Sequence, residues 1–272
     1  MKKIYISADF EGINGVVNTS QITPLGGFAY EKSRQQLHRE LNAVIQGLFS
    51  AGINQITIND AHNTMDNILL SEIPDNVRLI SGKPKPISMM YGLDSTYDGV
   101  FFLGYHVKAG ADNGILAHTF NLKFKEVLLN GKPIGEAQLN AIYSTQHNVP
   151  VLFASGDDFF CEEIKNDIGD ITTITTKNAI SKTAAICRCN KELLEEIKHK
   201  VQIAASDKAY KAFYEVKKPY TIKICLNESE AFLFSCPNNS KFLNEREIEF
   251  ISDDYCEIYK FLQFVSGLVI SA

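Results

Sequence analysis

The 272-residue chain has no C-x-x-C pair, no clustered basic patch, no internal repeat and no apolar stretch long enough to span a bilayer. Each absence removes a class of function. Its six cysteines, Cys161, Cys187, Cys189, Cys225, Cys236 and Cys256, read as buried reduced thiols rather than a disulfide framework. The opening "MKKIYISADF" lacks a signal-peptide pattern, so a cytoplasmic location is expected. The 27 Lys and Arg residues are scattered among 32 Asp and Glu, for a net charge of -5. That distribution offers no footprint for a phosphate backbone, and nucleic acid is not an expected partner. The most apolar segment, "IYKFLQFVSGLVISA", contains a lysine and several polar residues. It is too short to cross a membrane and reads as an amphipathic packing helix.

What is present is an α/β pattern in a chain long enough to bury a large core. After a strand "KIYISAD", the spacing of Leu37, Leu41, Val44, Ile45 and Leu48 predicts a helix over about residues 30–50, stopped by Gly52. "QITIND" and "VRLISG" follow as strands, and the nearly all-apolar "GVFFLGYH" reads as a strand buried on both faces. This rhythm predicts an open, mainly parallel sheet flanked by helices. In "FKEVLLNGKPI" the Asn130-Gly131 pair predicts a hairpin. A helix from Gly135 to about His147 should then lead into the strand "VPVLFASGDD". Beyond about residue 170 come "ITTITT", "YTIKICL", "AFLFSC" and "IEFIS", with one charged helix near 190–213 and the closing helix. These predict a smaller α+β portion, so the expected division is 1–170 (α/β, metal-binding and catalytic) and 171–272 (α+β).

The polar residues fall at informative places. The first strand ends at Asp9 and Glu11, "QITIND" ends at Asp60 with His62 just beyond, and "GVFFLGYH" ends at His106. In an open α/β sheet, ligands bind beyond the carboxyl ends of the strands. If the first strand stays extended through Phe10, Asp9 and Glu11 share one face and repel each other. A divalent cation turns that repulsion into coordination, and carboxylate with imidazole suits zinc. Other polar residues have plainer readings. His38, His147 and His199 lie in helical contexts and read as structural. Asp60, Asp157 and Asp158 are either caps or partners that orient an imidazole. Met89, Met90 and Tyr91 are either core filler or pocket lining.

The stretches "SADFEG", "NDAHN", "LISGKPKPISMMYGLD", "FLGYH", "GILAHTF", "NGKPIGE" and "GDD", in this order, resemble the zinc-dependent D-aminopeptidases associated with bacterial dipeptide transport operons. The resemblance implies a dinuclear zinc site, two Zn²⁺ per chain, with ligands Asp9, Glu11, His62, His106 and Glu136. It implies that Asp9 bridges, that Glu11 and Glu136 complete one site, and that His62 and His106 complete the other. Glu136 comes from the resemblance alone, since a glutamate opening a helix is otherwise a favourable first-turn charge. The same resemblance places the catalytic histidine on His118, behind a small polar loop "KAGADNG", and implies a homo-oligomer, a decamer in the family pattern. One departure is Ala117, where that pattern has serine. The expected activity is hydrolysis of the N-terminal residue of a short peptide by a metal-activated water, with His118 in proton transfer; the resemblance leaves open that His118 is instead a nucleophile. The alternatives are a dinuclear phosphoesterase, for which only Lys83, Lys85 and Lys108 could clamp phosphate, and a non-catalytic metal- or peptide-binding module.

Overall fold

The computed structural model describes residues 2–206, 208–229 and 237–270; the segment "AFLFSC" with Cys236 lies outside them. In chain order, β1 (Lys3–Ala8), α1 (Phe28–Ser50), β2 (Gln55–Asp60), β3 (Arg78–Ile80) and β4 (Gly99–Leu103) come first. The hairpin β5 (Phe124–Leu129) and β6 (Lys132–Pro133) is followed by α2 (Glu136–Gln146), β7 (Val151–Asp157) and α3 (Asp158–Ile168). The remainder comprises β8 (Thr172–Ser181), β9 (Ala184–Cys187), α4 (Asn190–Ala204), β10 (Tyr220–Leu226), β11 (Ser240–Asn244), β12 (Glu247–Ser252) and α5 (Tyr255–Ile270).

Seven strands form one sheet in the order β3-β2-β1-β4-β7-β8-β9, parallel except for the terminal β9. The other five form an antiparallel sheet, β11-β12-β10-β5-β6. The α/β class with a mainly parallel sheet and a separate antiparallel portion is therefore as expected. The division at residue 170 does not follow the sheets. β8 and β9 lie after it but extend the parallel sheet, while β5 and β6 lie before it but join the antiparallel one. The β-branched "ITTITT" finds its backbone partners on β7, and that pairing overrides the compositional shift that suggested a boundary. The charged helix is also shorter than expected, ending at Ala204.

Alternation along the central strands feeds two cores. Ile4, Ile6, Phe101 and Leu103 pack with α1 and α4 on one face, while Tyr5, Val100 and Phe102 pack with α2, the antiparallel sheet and α5 on the other. β4 is buried at every position, which explains its unbroken apolar run. Burying each of its phenylalanines contributes roughly 1.5–3 kcal/mol. The hairpin turn forms at Asn130 and Gly131, both at positive φ (49° and 80°), the backbone that Asn-Gly favours.

Under the sheet ends, a buried polar network ties the two halves together. The Ser7 hydroxyl and the Tyr105 hydroxyl lie 2.6 Å apart, and Asn140 of α2 donates to Tyr105 at 2.8 Å. Tyr259 of α5 donates to Asn140 Oδ1 at 2.7 Å. Removing one partner of such a pair strands a buried acceptor. Tyr259→Phe should therefore cost about 1–2 kcal/mol of stability, read as a lower urea midpoint; an unchanged midpoint would contradict the role given to this network.

Candidate metal centre

The strand order reverses at β1: the chain steps outward to β2 and β3 on one side, then returns to place β4 on the other. Such a switch point opens a crevice at the carboxyl ends. The register sets Ala8 opposite both Asp60 and Leu103, so the three strands end level. Asp9 and Glu11 follow β1, His62 follows β2 and His106 follows β4.

One expectation about this rim is corrected. β1 stops at Ala8, and Phe10 to Gly12 form a bend and turn rather than an extended continuation. Asp9 Oδ1 accepts from Phe10 N at 2.9 Å, and Gly12 N donates to the Gly104 carbonyl at 2.8 Å. The two carboxylates converge because the chain turns back on itself, not because a pleat alternates. Glu136 arrives from elsewhere, as the first residue of α2 after the hairpin, and its Oε1 accepts from Phe120 N at 2.6 Å.

All five residues are buried, none more than 7% exposed. Their ligand atoms, with those of His118, fall into groups within 4.8 Å that could each hold a metal: Asp9 with Glu11 and His62, Asp9 with His106 and Glu136, and Glu11 with His106 and His118. Two of these groups share Asp9. β2 and β4 flank β1 on opposite sides, which brings His62 and His106 to Asp9 from either side.

Backbone carbonyls orient all three imidazoles. A carbonyl only accepts, so the nitrogen facing it carries the proton and the other ring nitrogen can offer a lone pair. His62 Nε2 donates to the Ile22 carbonyl at 2.7 Å, leaving Nδ1 at 3.1 Å from both Asp9 and Glu11. His106 Nδ1 donates to the carbonyl of Val107 at 2.9 Å, leaving Nε2 toward Asp9 and Glu136. His118 Nδ1 donates to the Leu116 carbonyl at 2.8 Å, and its Nε2 lies 3.7 Å from both Glu11 and Glu136. The His106 and His118 rings stack at 4.0 Å. Leu116 and Phe120, two residues either side of His118, hold positive φ (52° and 60°) without being glycine. Each such residue costs on the order of 1–3 kcal/mol and marks a segment held in place by its surroundings.

Asp9 Oδ2 and His106 Nε2 are buried with no hydrogen-bond partner, and Glu11 Oε2 is buried against the His62 imidazole at 3.1 Å. Buried polar atoms of this kind require a partner, and oxygen and imidazole nitrogen together suit a divalent metal. The cluster's proton affinities carry the same message. Burial and the neighbouring Glu11 push Asp9 up to about 8. Burial would lower His62 and His106, yet the facing carboxylates hold His62 well above its usual value and push His106 up to about 10. Burial and the charge on His106 keep His118 below its usual value, so its Nε2 is free to accept a proton.

Residues with open readings resolve as follows. Asp60 accepts from Asn67 Nδ2 and from the main chain of Ile68, bracing the loop after β2 without touching an imidazole. Asp157 caps α3 through Phe160 N and also holds Ile115 N at 2.6 Å, three residues before His118. Asp158 accepts from Ala179 N. Met89 and Met90 are core, whereas Tyr91 is exposed. His38 is a structural bridge between Arg34 O and Leu69 N. Sequence reasoning missed the carbonyls of Ile22, Val107 and Leu116, because a backbone acceptor has no residue signature. A surface groove of about 710 Å³ along α1 and α4, including Arg34, His38, Lys191 and Glu195, contains none of the cluster residues.

Comparison with known proteins fits this geometry. The family model Peptidase_M55, D-aminopeptidase, matches residues 1–264. The chain belongs to the D-aminopeptidase family. A D-aminopeptidase of Bacillus subtilis (strain 168) is 36% identical over 185 residues, 68% of this chain and 67% of that protein. Among solved structures, the Zn-dependent D-aminopeptidase DppA from Bacillus subtilis, described as a self-compartmentalizing protease, matches with a TM-score of 0.94 and 28% identity. That match covers 99% of this chain and 98% of the other. Family members are peptide hydrolases, so the chain is an enzyme of that class.

The raised proton affinities of Asp9, His62 and His106 set protons in competition with metal, so metal affinity should rise with pH and binding should release protons, measurable by calorimetry in buffers of different ionisation enthalpy. Binding without proton release would contradict the ligand set.

Proposed function

We propose that the chain is a dinuclear zinc aminopeptidase that removes the N-terminal residue of short peptides, D-residues included. The observation that carries this reading is the pair of ligand groups sharing Asp9, with His118 Nε2 between Glu11 and Glu136. Asp9, Glu11 and His62 would hold one zinc, and Asp9, His106 and Glu136 the other. Zinc, when bound there, supplies Lewis-acid polarisation of the scissile carbonyl and lowers the pKa of water to about 7.

The chain's own residues supply the rest. With Nδ1–H committed to the Leu116 carbonyl, His118 presents only Nε2 for proton transfer. It takes the proton of the attacking water and returns it to the departing amine, so a covalent step on His118 is unnecessary. Stacking on His106 and the bond to Leu116 fix the ring plane, which keeps that transfer directional. Ala117 is half-buried against the core, and the orientation of His118 rests on backbone contacts that need no neighbouring hydroxyl.

A phosphoesterase is disfavoured by the cations themselves. Lys85 donates to Asn59 and to the carbonyl of Asp60, Lys108 is paired with Glu163, and Lys83 is exposed. None is positioned as a phosphate clamp. A pure binding module would have no use for His118.

The thiols among the described residues are free, although Cys187 and Cys189 are exposed rather than buried as expected; free thiols suit a reducing compartment such as the cytoplasm, and no described helix is long and apolar enough to cross a membrane. By likeness to the self-compartmentalizing neighbour, we place the working form as a homo-oligomer, a decamer being the finer proposal. Light scattering after size exclusion tests both, and a monomer would refute them.

Three substitutions test the centre. Asp9→Ala should release both zinc ions and Glu11→Ala chiefly one, by elemental analysis. His118→Ala should keep both while hydrolysis of D-Ala and L-Ala nitroanilides falls about 10²–10⁴-fold. Full turnover in that variant, or activity that survives chelation, would overturn the mechanism.

A further inference from the structure

We infer that Lys177 on β8 is a positioning residue for Glu11, acting through the main chain of the turn after β1. This rests on the reading of Glu11 as a zinc ligand.

Three successive carbonyls of that turn face β8. Lys177 Nζ donates to the Glu11 carbonyl at 2.6 Å and to the Ile13 carbonyl at 2.7 Å. Between them, the Thr176 hydroxyl lies 2.5 Å from the carbonyl of Gly12. A run of carbonyl oxygens turned to one side is a negative concavity, and buried without donors it would be strongly unfavourable. Lysine meets both needs, with several donors and a positive charge. Lys177 is fully buried, a state lysine adopts almost only when paired. Asp157, Glu40 and Glu11 are among the acidic groups that act on it.

The turn is held on its remaining sides. Glu40 of α1, also fully buried, accepts from Asn14 N at 2.9 Å. The Asn14 side chain in turn bonds the main chain of Arg188, between β9 and α4. On the β4 side no room remains, since a Cβ on Gly12 would meet the Tyr105 carbonyl at 2.1 Å. Clamped this way, the backbone delivers the Glu11 carboxylate to His62 and His118 at 3.1 and 3.7 Å. Loss of Lys177 frees two carbonyls adjacent to the ligand and lets the turn swing, whereas Glu136, carried by α2, is untouched. The effect should therefore be confined to the Asp9–Glu11–His62 side.

The test is retention of zinc by the full-length, zinc-loaded protein against graded chelator, with folding followed by circular dichroism at the same temperature. For Lys177→Met, one of the two zinc ions should be lost at about tenfold lower chelator activity, the range typical of partners that orient a ligand, and the other should be retained as in the unsubstituted chain. Should that variant fail to fold, Thr176→Val removes the hydroxyl's bonds to the Gly12 and Gly156 carbonyls while leaving Lys177 in place, and should weaken the same zinc about threefold. Unchanged retention in a folded variant, or equal weakening of both ions, would overturn the inference while leaving the centre intact. If the unsubstituted chain bound no zinc, the reading of the centre would fall, and this inference with it.

Discussion

Repulsion among three buried carboxylates, Asp9, Glu11 and Glu136, is the constraint around which the molecule is arranged. Buried charges of one sign within a few ångströms of each other are unfavourable by several kcal/mol, and such a cluster persists only where the surrounding structure compensates. Two kinds of compensation are visible. Toward the centre, His62, His106 and His118 face the carboxylates with their ring orientations set by backbone carbonyls. Behind it, the polar contacts of β8 and α1 hold the turn that would otherwise relax away from the crowding.

The topology makes that concentration of charge possible. A switch point at β1 brings three strand ends to one level, but a sheet edge alone supplies residues only from its own strands. Glu136 and the His118 segment come instead from chain that leaves the parallel sheet for the antiparallel one and returns. α5 braces that excursion: Asn121 Nδ2 bonds the Ser266 carbonyl at 3.0 Å, and Phe120 packs edge-on against Tyr259. The C-terminal helix therefore supports the segment that carries His118.

How much could be seen beforehand varied with the range of the interaction. Strand and helix identities along the first 160 residues followed from period, from Gly52 and from Asn130-Gly131, because these signals act within one turn or one hairpin. The rim of Asp9, Glu11, His62 and His106 was also visible, since strand ends can be located from local pattern and ligands gather there. The expected boundary at residue 170 misled because composition reports local preference, whereas sheet membership depends on pairing between distant segments. Glu136 and His118 were reached through family resemblance; in local pattern alone, one is a first-turn charge and the other a histidine among apolar neighbours.

By itself, then, the sequence determined the class of fold and the carboxylate and imidazole groups brought to the strand ends, both of which depend on composition and short-range periodicity. Only the tertiary structure decided that Asp9 and Glu11 converge through a turn and which nitrogen of the His62 imidazole faces the cluster. Those outcomes depend on the Ile22 carbonyl and the Lys177 side chain, contributed across gaps of 40 to more than 160 residues. No local pattern records contacts made at that separation.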